Sequence, residues 1–160
     1  KAISRGGEGG HQGQGFDFQP VYASPGSAQR PNPPVLIGGV ADPALRRVVR
    51  LGDGWLAVSL GPDRLRAQLD RLRQLCGETG RNYDDLKLVA KVFLNVGDAK
   101  RNQHDEREPA TGSAAEVIDD LKRMRDLGFG EIIVRVRNAS TLQSMRDQIE
   151  HFAADIAPKV

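Results

Sequence analysis

The chain has 160 residues, with 23 Lys and Arg against 21 Asp and Glu, for a net charge of +2. This near balance gives no general reason to expect nucleic-acid or anionic-membrane binding, and no apolar run approaches the roughly 20 residues of a bilayer-spanning helix. The single cysteine, Cys76, excludes an internal disulfide and a cysteine-based zinc site, so a reducing, cytoplasmic setting is expected.

Seven of the 18 glycines fall in the first 26 residues, among Gln, Ser and Pro. This stretch follows neither the strand nor the helix period, so it reads as a flexible loop. Its glycines do not fit G-x-G-x-x-G, and no strand precedes them. Residues 1–32 are therefore taken as a Gly/Pro-rich loop, and residues 33–160 as the folded part. The first residue is Lys rather than Met, which suggests a piece of a longer protein.

From Val35 onward strands and helices alternate. Val35–Leu36–Ile37, ended by Gly38–Gly39, predicts a fully buried strand. Asp42 as N-cap and Pro43 at the first helical position predict a helix to about Leu51. Gly54–Val58 reads as a second buried strand. Gly61–Pro62–Asp63 opens a helix with Leu65, Leu69, Leu72, Leu75 and Cys76 on one stripe, stopped near Gly80. Leu86–Leu94 is a third strand. A charged segment, 98–112, follows it and reads as a mobile loop able to cover the mouth of the fold. Ser113-x-x-Glu116 is a capping box that starts a helix closed by Gly128. Ile132–Val136 is the fourth strand, and Leu142, Met145, Ile149, Phe152 and Ile156 mark the last helix.

The result is α/β, (βα)4, which calls for a parallel sheet covered by helices. Two architectures remain open: a doubly wound sheet or an arc of a (β/α)8 TIM barrel. In the third strand, Leu88, Ala90, Val92 and Leu94 share one face, while Lys91, Phe93 and Asn95 share the other. The fourth strand sets Ile132, Val134 and Val136 opposite Arg135 and Arg137. Parity in the second strand groups Trp55, Ala57 and Ser59. Lys91, Arg135, Arg137 and Ser59 are thus candidates to line a cationic mouth that takes an anionic substrate or cofactor tail, unless carboxylates pair them off. Gly38 and Gly39, between a strand and a helix start, suit a phosphate held by backbone N–H groups, or simply a tight turn.

Taken together, Pro33–Gly39, Ala44–Leu45–Arg46–Arg47, Leu51–Gly52–Asp53–Gly54–Trp55, Gly80–Arg81–Asn82, Gly112-x-x-x-Glu116–Val117–Ile118 and Asp126–Leu127–Gly128 resemble the luciferase-like monooxygenase superfamily. Gly15–Phe16–Asp17–Phe18 resembles the loop before this strand in the family. The resemblance spans roughly residues 13–158. It implies a (β/α)8 barrel that binds FMN or coenzyme F420 at its C-terminal mouth and carries out hydride transfer or oxygen activation on a small-molecule substrate. The four units here would be the C-terminal half of that barrel. Gly38, Gly39, Val40 and Ala41 would meet the cofactor phosphate, and the end of the second strand, around Val58 and Ser59, would lie on the substrate side. No catalytic residue is assigned, because the missing first half supplies most proton-transfer groups in such enzymes.

A half-barrel leaves two strand edges unpaired. The missing N-terminal half, a second chain, or a second copy in a homo-oligomer is therefore an expected partner, and this chain alone is expected to be inactive. The rival reading is a non-catalytic half-barrel that binds an anion or a protein partner. His11, His104 and His151 show no metal-ligand spacing, so no metal is expected. Asp53 reads as structural, while Trp55 and Cys76 read as core residues.

Overall fold

A computed structural model describes residues 6–137 and 139–160. The chain divides into two compact units, Lys1–Val35 and Leu36–Val160.

The first unit is not the loop its composition suggests. Strands β1 (Gly7–Gln12) and β2 (Asp17–Ala23) pair antiparallel, with Gly9 opposite Val21 and His11 opposite Phe18 across a register irregularity. Sequence periodicity misses this hairpin for a physical reason. A period of two reports a buried face, and nearly every residue here is exposed. Pairing rests instead on backbone hydrogen bonds, which leave little trace in the side chains.

In the second unit, four parallel strands lie side by side in chain order: β3 (Leu36–Gly38), β4 (Gly54–Val58), β5 (Lys87–Val96) and β7 (Glu131–Val136). The two-residue β6 (Thr111–Gly112) pairs with Asn95 and Val96, past the point where β4 ends. A doubly wound sheet reverses its strand order at a switch point. No such reversal occurs among the described strands, whose order in the sheet follows chain order.

Helices α1 (Asp42–Leu51), α2 (Pro62–Thr79) and α3 (Ala114–Asp126) cover one side of this sheet. Leu45, Val48, Leu65, Leu69, Leu72, Val117, Leu121 and Met124 pack with Trp55, Ala57, Ala90, Val92 and Leu94 in one core. Gly80 ends α2 at φ 69, a left-handed position where glycine carries no Cβ penalty. The predicted Ser113–Glu116 capping box is present, and it draws the Glu116 carboxyl below its ordinary range through hydrogen bonds from Ser113.

Three expectations need correction. Leu36 and Ile37 of β3 are only half buried, because among the described residues β4 is the one strand that pairs with it. Asp42 is not the N-cap of α1. Ala41 takes that position, and the Asp42 carboxylate bonds Arg46 (2.6 Å) and Arg71 (2.5 Å) instead. Finally, α4 (Leu142–His151) buries none of its residues, and its stripe reaches the core only beyond it, at Ile156. Among the described residues no strand pairs with β7 on the side away from β5.

Candidate functional site

Candidate groups gather at the C-terminal ends of the parallel strands, where chain turns from each strand toward the next helix. β3 runs out at Gly38. Gly39 has φ +111, and a Cβ there would sit 2.8 Å from the Ala44 Cβ, so both conformation and space demand glycine. Gly38 has no such restriction, since its nearest neighbour to a Cβ is the Leu56 carbonyl oxygen at 3.8 Å. The indole Nε1 of Trp55 donates to the Gly39 carbonyl at 2.8 Å. Trp55 is fully buried, so this carbonyl is turned toward the core. In a trans peptide the following N–H points the opposite way. Val40 N–H is thereby directed outward, and among the described residues neither it nor the Ala41 N–H meets an acceptor. Both amides precede the first turn of α1, whose positive dipole end favours an anion. Asp42, in that first turn, would oppose this. Arg71 and Arg46 hold its carboxyl ionised below the usual range, and their charges offset its own. Val40 and Ala41 thus present two N–H groups, without an acceptor among the described residues, at the N-terminal end of α1.

The second group lies on the sheet face turned away from the helices. Register sets Val58, Lys91 and Ile133 side by side, and Phe93 beside Arg135. Lys91 Nζ and Arg135 Cζ each lie 5.9 Å from the Phe93 ring centroid, and Arg137 Cζ lies 4.9 Å from it. Arg137 pairs with Glu108 at 3.3 Å. Among the described residues, no carboxylate oxygen comes within 4.0 Å of Lys91 or Arg135. Lys91, Arg135 and Arg137 are thus brought together, and Phe93, which sequence reasoning assigned no role, is the ring they share. Its position on the same strand face as Lys91 was the available signal.

Ser59 does not join them. Although its N–H donates to the Lys91 carbonyl at 2.9 Å, register places Val58, not Ser59, next to Lys91. Ser59 leaves the strand at φ 50 and lines a separate cavity of about 310 Å³ at the start of α2. Its buried Oγ has no hydrogen-bond partner among the described residues.

The charged segment after β5 is built rather than open. Arg107 makes two bonds to Asp120 (2.9 and 2.8 Å) and one to the Thr111 carbonyl, while Ala110 N–H donates to Asp120. Asp120 is almost fully buried, and its carboxylate, accepting from Arg107, raises the Arg107 pKa and keeps the guanidinium firmly protonated. Cys76 is buried in the core with its thiol pKa pushed up by desolvation, which leaves it a poor nucleophile. Among the described residues no group of three or more His, Cys, Asp or Glu side chains converges on a metal position. Among the described residues no helix is long and apolar enough to cross a membrane.

Comparison with known proteins bears on the family and the fold. A family described as luciferase-like monooxygenase matches residues 1–155. Uncharacterized proteins of Mycobacterium bovis and Mycobacterium tuberculosis are 27% identical over 92% of this chain and 48% of theirs, so the chain spans about half the length of the curated relatives it matches. The coenzyme F420-dependent tetrahydromethanopterin reductase of Methanopyrus kandleri superimposes with a TM-score of 0.75 at 12% identity, over 98% of this chain and 59% of that one. The oxygenating constituent of 3,6-diketocamphane monooxygenase from Pseudomonas putida, solved with FMN, gives 0.59 at 12% identity, over 99% and 60%. At such identities the two structures share the fold.

Proposed function

The chain belongs to the luciferase-like monooxygenase family, and on that premise we propose that it is the C-terminal half of a (β/α)8 barrel oxidoreductase using FMN or coenzyme F420. The observation that carries this reading is the outward turn of the Val40 N–H, fixed by the Trp55 bond to the Gly39 carbonyl. The residues present suit a cofactor phosphate: Gly39 lets the backbone approach closely, Val40 and Ala41 offer free donors, and the Asp42 charge is offset. Such a cofactor, when bound, carries the hydride or activates oxygen, and the protein contributes position and electrostatics.

In this reading Gly38, Gly39, Val40 and Ala41 grip the phosphate, while Lys91, Arg135 and Arg137 face the substrate. Ser59 contributes at the end of β4 from its own cavity. The other half of the barrel comes from sequence outside these residues or from another chain, either of which would pair the free edges of β3 and β7. The chain alone lacks turnover, and the assembled enzyme works in the cytoplasm.

Fluorescence titration of the chain with FMN and with F420 tests this. Gly38→Asp adds a negative charge without strain, because its Cβ has room. Weakening of at least tenfold for one cofactor is expected. Unchanged binding of both cofactors to Gly38→Asp and Gly39→Asp would overturn the phosphate-loop reading.

A further inference from the structure

The cations around Phe93 have an unusual charge balance. Lys91, Arg135 and Arg137 surround one half-buried ring, and among the described residues Glu108 is the one carboxylate paired with any of them, which leaves a net charge of +2 in this group. Glu131 shares their strand face but stands four residues before Arg135 along β7, about 13 Å away at the rise of a strand. Cations that served only as a solvated rim would have no reason to collect on one ring. Like charges held this close repel one another, and the arrangement is relieved when an anion binds. The ring holds the cations by its negative face and offers no hydrogen-bond acceptor, so their donors stay available. Two guanidinium groups add the forked donors that match carboxylate and phosphate oxygens. Phe93, Arg135 and Arg137 also line an open cavity of about 490 Å³, with Val136, Ala139 and Met145 supplying apolar walls.

We propose that this group is a subsite for the dianionic part of a small organic substrate, a phosphate monoester or a vicinal dicarboxylate, whose apolar body lies along Phe93 and Met145. It is separate from the phosphate-binding turn at Gly38–Ala41, which lies two strands away at the other edge of the sheet. Calling the ligand a substrate rests on the oxidoreductase reading above. The binding itself does not.

The test is a residue-resolved NMR titration of the whole chain at pH 7.5 and constant ionic strength. The probes are phenyl phosphate and phthalate as dianions and benzoate as a monoanion, with the Arg135 and Arg137 Nε–H groups and the Phe93 ring as reporters. Saturable shifts are expected, with at least one dianion binding about tenfold more tightly than benzoate. Whichever dianion binds identifies the source. Arg135→Gln and Lys91→Gln should each weaken that binding several-fold with unchanged circular dichroism. Equal, non-saturating responses to all three probes in the unmutated chain would overturn the proposal, whatever the variants do. Loss of the cofactor response at Val40 and Ala41 with these shifts intact would count against the phosphate turn and for this subsite.

Discussion

The two faces of the sheet obey different rules. On the helix side, Trp55, Ala57, Ala90, Val92 and Leu94 are all buried in one apolar core. On the opposite side, Val58 and Ile133 remain 39% and 38% exposed, with Lys91 between them and Phe93 beside Arg135 in the next row. The first face accounts for why the chain folds, and the second for what it can bind. A strand whose two parities differ this much has one side built for packing and another kept for chemistry, a division typical of barrel enzymes near their C-terminal mouth.

Mutations should expose the contrast. Leu121→Ala, on the covered side, is expected to cost about 2–5 kcal/mol in urea denaturation, through lost transfer energy and a residual cavity. Ile133→Ala on the open side should cost well under about 1.5 kcal/mol, since little area is withdrawn from water there. Equal costs would mean that the open face is packed after all.

Asp120→Asn should be nearly as harmful as the core change, about 2–4 kcal/mol, because it removes the buried carboxylate that takes two Arg107 bonds and leaves that guanidinium only Glu116 at 3.7 Å as an ionic partner. If thermal melting is unmoved, the 98–112 segment is not held by this pair. Trp55→Phe keeps an aromatic ring but removes the donor to Gly39 and part of the buried indole volume. A loss of at least about 1 kcal/mol is expected, with a larger fractional loss of cofactor affinity as the turn loosens.

The smallest effect concerns acid. Asp42 and Glu116 both titrate below their ordinary range when folded. Their contribution is therefore fully present above about pH 4 and is lost as pH falls through the lower, folded values. Both groups are well exposed, so the predicted loss of stability is small. Asp42→Asn should flatten that part of the pH–stability curve slightly, and an unaltered curve would show that the Arg46 and Arg71 bonds add nothing in solution.

Much of the covered face was legible beforehand. The leucine stripe of α2, the stop at Gly80 and the Ser113–Glu116 box are local patterns, set by neighbours within a turn or two. What was not legible depends on pairing between distant segments. Register alone determines that Val58, rather than Ser59, sits beside Lys91, and no single strand encodes its register. The bond from Trp55 to Gly39 needs β3 laid beside β4 with Ile37 opposite Trp55. Asp42 looked like a cap because the sequence does not show Arg71, 29 residues away, competing for its carboxylate. The β1–β2 hairpin escaped because it buries no side-chain face.

In the proposed function the turn from Gly38 to Ala41 grips a cofactor phosphate. The decisive measurement follows the amide shifts of Val40 and Ala41 during titration with FMN, with F420 and with riboflavin, which lacks the phosphate. Saturable movement of both amides is expected with at least one phosphate-bearing cofactor and none with riboflavin. Identical responses to FMN and riboflavin, with no response to F420, would contradict it.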